Sequence, residues 1–146
     1  HQTTARDNAR TPFQWDNTNN AGFTTGQPWL KVNPNYVEVN VAAQQQDADS
    51  ELNYFRSMTA LRKQFLTLVY GDYSLLLEEH EAIYAYTRRL DDACILVLLN
   101  FSDQSHTIEV PEGLKLNTTL ISNYPERSLS DKTITLEPYQ ATLIMC

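Results

Sequence analysis

Glycine is scarce, with four in 146 residues and no Gly-x-Ser-x-Gly, Gly-x-Gly-x-x-Gly or Gly-x-x-x-x-Gly-Lys among them. Nucleophile-elbow hydrolases, dinucleotide folds and P-loop chemistry need glycine where backbone turns sharply or closes on a ligand, so none has a foothold. Basic residues are few as well, eleven Lys and Arg against eighteen Asp and Glu, leaving a formal charge of −7. That balance excludes a polyanion gripped by a basic face, and no nucleic acid partner is expected. The longest apolar run, Cys94-Ile-Leu-Val-Leu-Leu, falls far short of the ~20 residues of a membrane-spanning helix. Three histidines (His1, His80, His106) and two cysteines stand apart without metal-ligand spacing, so neither metal nor cofactor is expected. Cys94, in the most apolar run, reads as a buried small hydrophobe, whereas Cys146 is left open as free, paired within the chain or paired elsewhere.

What is present belongs to a folded chain: 42% hydrophobic residues and 10% aromatics exclude disorder, and the length suffices for one core. Residues 1–46 are polar and Asn-rich, broken by Pro12, Gly22, Gly26, Pro28 and Pro34, and read as a long loop holding about one turn of structure. Such a loop is uncommon inside a compact domain; it implies a functional segment or a piece of a larger body. The start at His1, in loop-like sequence without Met, is what a missing front would look like.

Apolar residues Leu52, Phe55, Met58, Leu61 and Phe65 recur at steps of three and four and predict a helix over about 49–66. Asp49 or Ser50 can cap its start, and Arg62 and Lys63 suit its carbonyl end. From Gly71 on, β-rich runs at 73–77, 82–89, 93–101, 106–110, 114–121, 133–136 and 141–145 alternate with polar breaks. Asp91-Asp92, Pro111-Glu-Gly113 and Pro138 have turn chemistry, and Glu78, Glu79 and Glu81 read as a solvated turn. The pattern predicts an antiparallel sandwich or Greek key.

The densest chemistry lies in Arg6-Asp-Asn-Ala-Arg10-Thr-Pro-Phe-Gln-Trp-Asp16, followed by Asn20-Ala-Gly-Phe23. Forked donors, carboxylates and aromatic faces in one loop are what a sugar requires for its hydroxyls and its C–H side. A loop clamped by its own Arg–Asp pairs has the same composition, and residue types alone do not separate the two.

These segments, with Pro28-Trp-Leu-Lys-Val-Asn-Pro-Asn-Tyr36, Asn40-Val-Ala-Ala-Gln44, the helix residues Tyr54, Leu61, Arg62 and Lys63, and Leu99-Asn-Phe-Ser102, resemble the α-glucosidases of the α-amylase superfamily, glycoside hydrolase family 13. Insect maltases and oligo-1,6-glucosidases are the similar members, and the likeness runs through essentially the whole chain. It implies the end of a (β/α)8 barrel, rim loop plus last helix, over residues 1–68. An antiparallel β-sandwich C-terminal domain then spans 69–146. Sites on such barrels lie at the C-terminal face of the strands.

The implied chemistry is retaining hydrolysis of terminal α-glucosidic bonds in maltose, sucrose or short oligosaccharides, by a carboxylate nucleophile and a carboxylic acid flanking the bond. The resemblance puts those carboxylates upstream, so no catalytic residue is assigned here, Asp7 and Asp16 included, and this stretch is expected to be inactive alone. Arg10 matches the family's pocket arginine, bridging a barrel carboxylate and glucose hydroxyls with a fork that Lys lacks. Arg6, Phe13, Gln14, Trp15 and Asp16 are expected to support the loop, Trp15 as a buried prop. Phe13 departs from the bacterial pattern, where Met is usual. The resemblance also implies an extracellular or outer-surface location, with Asn117-Thr-Thr and Asn100-Phe-Ser as glycosylation sequons and Asn117 the better of the two.

Two other classes stay in view. The glucosidase-like heavy chains of amino-acid transporters share the resemblance without the activity, and an intact Arg10 argues for the enzyme. A sugar-binding or structural β module would bind glucose by itself, which one wall of a pocket does not support.

Overall fold

A computed structural model describes residues 5–125, 128–130 and 132–146, the side chains of Ala5, Arg6 and Asn8 excepted. The chain divides into two compact units, His1–Ser57 and Met58–Cys146. The first is less loop-like than its sequence implies. Among the described residues two 3₁₀ turns, Ala5–Arg10 and Pro34–Val37, with a left-handed turn at Asn19–Gly22 between them, precede a short helix α1, Val41–Gln46. Local polar devices make them: Pro34 opens its turn, and Asn40 caps α1 by accepting from the Ala43 N–H at 2.8 Å while donating to the Tyr36 carbonyl at 2.8 Å. Such devices leave no apolar periodicity, which is why one turn was expected and four short elements stand there.

Helix α2, Glu51–Gln64, starts where the periodicity predicts. Ser50 is the residue that caps it, its Oγ accepting from the Asn53 N–H at 3.3 Å, while Asp47 rather than the helix engages the Asp49 N–H. The stripe is not uniformly covered: Phe55 is 66% exposed, whereas Met58 and Phe65 pack against the sheet of the second unit. Arg62 Nη1 donates to the Leu68 carbonyl at 3.0 Å, in the short helix α3, Thr67–Tyr70. Gly71 then turns the chain into the sheet. A Cβ there would lie 2.5 Å from the Thr67 carbonyl oxygen and 2.8 Å from that of Arg89, so only glycine lets these backbones approach.

Among the described residues seven strands follow, one for each expected run: β1 Asp72–Leu76, β2 Ile83–Leu90, β3 Ala93–Asn100, β4 His106–Glu109, β5 Thr118–Ser122, β6 Thr133–Leu136 and β7 Ala141–Met145. β5 begins later than the run at 114–121, because Leu114 N–H closes a turn on the Pro111 carbonyl at 3.2 Å with Gly113 at φ +80°. All pairings are antiparallel: a five-stranded sheet of order β1-β2-β3-β7-β5 faces a two-stranded sheet β4-β6. Ile83 and Ala85 of β2, Leu96 and Leu98 of β3, Ile108 of β4, Leu136 of β6 and Ile144 of β7 close the core between them. Each such aliphatic side chain contributes about 1.5–3 kcal/mol by leaving water. The opposite face of the larger sheet, Ile95, Val97 and Leu143, is covered by Met58, Phe65 and Leu68. One long helix followed by two antiparallel sheets is thus the expected barrel end and β-sandwich.

The cysteines, left open by the sequence, form a disulfide: Cys94 and Cys146 stand 5.1 Å apart at Cα on the neighbouring strands β3 and β7, with Cys146 N–H donating to the Cys94 carbonyl at 3.0 Å. His80 and His106, read as isolated, meet edge to face at 5.4 Å. Among the described residues, however, no group of three His, Cys, Asp or Glu is placed to hold a metal.

On the exposed side of β1 and β2 three tyrosines gather, with Tyr73 and Tyr84 hydroxyls 2.8 Å apart. That bond to Tyr84, then desolvation and the charges of Tyr84, Tyr86 and Glu78, push the Tyr73 phenol up to about 12. A folded value above the unfolded one of about 10 means the contact stabilises fully below that pH and is lost as pH rises through the folded value. Tyr84→Phe removes the partner, and the Tyr73 ionisation seen by tyrosinate absorbance is expected to fall back toward its ordinary value.

Candidate functional site

The segment from Arg6 to Phe23 is held by a backbone knot. Trp15 and Asp16 N–H groups both donate to the Ala21 carbonyl, at 2.9 and 3.3 Å, and α1 is tied in by Val41 N–H to Gln14 and Ala42 N–H to Trp15, both at 3.0 Å. Gln14 also donates through Nε2 to the Val39 carbonyl.

Closing this knot requires three successive left-handed residues, Asn20 (φ 56°), Ala21 (φ 58°) and Gly22 (φ 65°). Asparagine and glycine tolerate that region, and Asn20 is held by Nδ2 donations to the Thr24 and Gly26 carbonyls at 3.1 and 2.9 Å. Ala21 is fully buried. Asp16 lies over Gly22 and accepts at Oδ1 from the Thr18 N–H at 2.8 Å and the Thr18 hydroxyl at 2.5 Å. The hydroxyl, then the N–H, hold its carboxyl below its ordinary value, with desolvation opposing. A general acid needs the opposite shift.

Arg10 ends the first 3₁₀ turn, exposed, with no carboxylate partner among the described residues. With Pro12, Phe23, Pro28, Trp29 and Leu30 it lines a concavity of about 320 Å³. Trp29 is 83% exposed and Phe23 50%, so the hollow is walled by bare aromatic surface beside one guanidinium. Phe23 belongs to the segment whose aromatic faces suit a sugar, whereas residue types alone do not single out Pro28, Trp29 and Leu30 as lining residues. Their signal was aromatic residues set among Gly and Pro just after the charged motif. Trp15, expected as a buried prop, is instead 52% exposed and stands edge-on to Phe13 at 4.8 Å, because the knot fixes its backbone and leaves its ring outward. The Arg6 side chain lies outside the described residues. Among the described residues no arginine pairs with Asp16; Thr18 bonds its carboxylate.

A helix followed by a β-sandwich in this order is the layout of the tail of a barrel-type catalytic domain and a sandwich-like C-terminal domain. The chain belongs to the α-amylase superfamily: residues 1–71 match the model of the alpha amylase catalytic domain, and residues 83–143 that of the alpha-amylase SusG C-terminal domain. It is 45% identical over 139 residues to an oligo-1,6-glucosidase of Parageobacillus thermoglucosidasius, covering 93% of this chain and 25% of that one. Among solved structures it superposes on the trehalulose synthase of Pseudomonas mesoacidophila MX-45 with a TM-score of 0.88 at 39% identity, over 96% of this chain and 26% of that one. An isomaltulose synthase of Klebsiella sp. LX3 superposes equally, with a TM-score of 0.88 and 39% identity over 96% of this chain and 25% of that one. The chain thus spans about a quarter of the length of the relatives it matches.

Gly22 is the residue on which the knot turns, since a Cβ there would sit 2.6 Å from Asp16 Oδ2 at a left-handed φ. Gly22→Ala is expected to push the carboxylate off Thr18 and to open the knot. Hydrogen exchange at the Trp15 and Ala21 amides should then rise by about tenfold or more, whereas an unchanged rate would mean the knot does not depend on this glycine.

Proposed function

We propose that the chain is the closing quarter of a retaining α-glucosidase that hydrolyses terminal α-glucosidic bonds in maltose, sucrose or short oligosaccharides. In this reading residues 1–68 end the catalytic barrel and 69–146 form the C-terminal β domain. The observation that carries it is the pairing of Arg10 with the exposed aromatic wall of Phe23 and Trp29. A guanidinium fork donates to sugar hydroxyl oxygens, and the aromatic faces take the apolar side of the ring. The chain supplies a wall and an anchor; the nucleophile and the acid come from preceding residues, and Thr18, which holds the Asp16 carboxyl below its ordinary value, works against an acid role there. A small oligosaccharide or disaccharide is the partner. An intact Arg10 favours this enzyme over a transporter heavy chain.

Extracellular or outer-surface placement is part of the proposal and is supported by the Cys94–Cys146 disulfide, a bond that persists in oxidising compartments. Thiol titration of the protein under denaturing, non-reducing conditions should find neither cysteine free. Two free thiols would place it in a reducing compartment.

Activity is tested with a chromogenic α-glucoside. The parent enzyme should turn it over and this chain alone should not. Arg10→Lys in the parent is expected to lower kcat/KM by about a hundredfold with the fold intact by circular dichroism, since a point charge cannot bridge a carboxylate and a sugar oxygen together. Turnover by the chain alone would overturn the upstream location of the acids, and an unaffected Arg10→Lys variant would remove Arg10 from the pocket.

A further inference from the structure

The two sequons of the second unit are placed very differently by the fold. Asn100 closes β3 at 4% exposure, donating from Nδ2 to the carbonyls of Gln104 at 2.7 Å and Glu137 at 2.8 Å. Its Oδ1 accepts from the Ser102 N–H at 3.0 Å and the Ser102 hydroxyl at 2.8 Å. Both amide hydrogens are engaged inside a turn, and a nitrogen bearing a sugar keeps only one. Asn100-Phe-Ser is a structural motif that happens to spell a sequon.

Asn117 is exposed, and its side chain bonds to no described residue. Its backbone N–H donates to the Met145 carbonyl at 2.8 Å, which fixes it at the entry to β5. β5 is the last strand of the order β1-β2-β3-β7-β5, so among the described residues no strand pairs with its far side, which is a sheet edge. The residue after Met145 is Cys146, joined to Cys94. A free sequon, an open edge and the disulfide therefore meet at one corner of the sheet.

We propose that Asn117 is an N-glycosylation site whose glycan covers the open β5 edge beside the Cys94–Cys146 disulfide. This rests on the secretory part of the functional reading. In the transfer, Asn117 Nδ2 attacks the anomeric carbon of a lipid-diphosphate-linked oligosaccharide. An N–C bond forms, the bond from that carbon to the diphosphate oxygen breaks, the amide gives up one proton, and the lipid diphosphate departs. Thr119 supplies the hydroxyl that the sequon requires. An edge strand presents unpaired N–H and C=O groups to any other strand, and β5 is protected only by its shortness, its two threonines and the register shift between Thr119 and Ile121. A hydrated oligosaccharide at its entry denies that edge to another chain.

The test is to express the full chain behind a secretion signal in eukaryotic cells, recover it from medium and membrane fractions together, and compare intact masses before and after peptide N-glycosidase. Wild type and Thr119→Ser, which keeps the sequon, should each lose one glycan. Asn117→Gln and Thr119→Ala should have none to lose, although both still contain Asn100-Phe-Ser. Wild type without glycan, or a glycan that survives in Asn117→Gln, overturns the proposal. Because the host supplies the secretory route, such a failure falls on Asn117, while the compartment itself is judged separately by the thiol titration.

Discussion

The second unit is organised around one strand buried on both faces. β3 places Leu96 and Leu98 in the core shared with β4 and β6, and Ile95 and Val97 under Met58, Phe65 and Leu68. A strand covered on both sides reads as an unbroken apolar run instead of an alternation, which is why Cys94-Ile-Leu-Val-Leu-Leu is the most apolar stretch of the chain. Its neighbours obey the one-sided rule: β2 alternates Ile83, Ala85 and Thr87 inward with Tyr84, Tyr86 and Arg88 on the other face. The disulfide joins this central strand to β7, so the covalent link and the densest packing coincide.

The first unit follows a different logic. Its order comes from side-chain amides and carboxylates acting on backbone: Asp16 on Thr18, Asn20 on Thr24 and Gly26, Asn40 on Tyr36 and Ala43. These contacts are local and polar, so they shape the loop without enclosing its aromatics, and Phe13, Trp15, Phe23 and Trp29 stay exposed.

Much of this was legible beforehand. The step of three and four in α2, the seven β-rich runs and the turns at Asp91-Asp92, Gly113 and Pro138 carry their own signals, because periodicity and turn chemistry are local properties. The four short elements of the first unit were not legible, since Asn and Pro devices leave no apolar period. Nor was the exposure of Trp15, which depends on where the knot aims a ring, or the half-exposed stripe of α2, in which Phe55 and Met58 obey the same spacing but meet different surroundings.

By itself the sequence determined the order and kind of the elements, the absence of glycine-built phosphate and nucleophile sites, and, through the long motif from Arg6 to Asp16, the superfamily resemblance. Those rest on contacts between near neighbours and on residue types. The tertiary structure alone decided that Cys94 and Cys146 bond, that Arg10 shares a hollow with Phe23 and Trp29, and that Asn100 is locked while Asn117 stands free at a sheet edge. Each of these depends on residues brought together by strand order or by a left-handed turn, and spacing along the chain does not record such meetings.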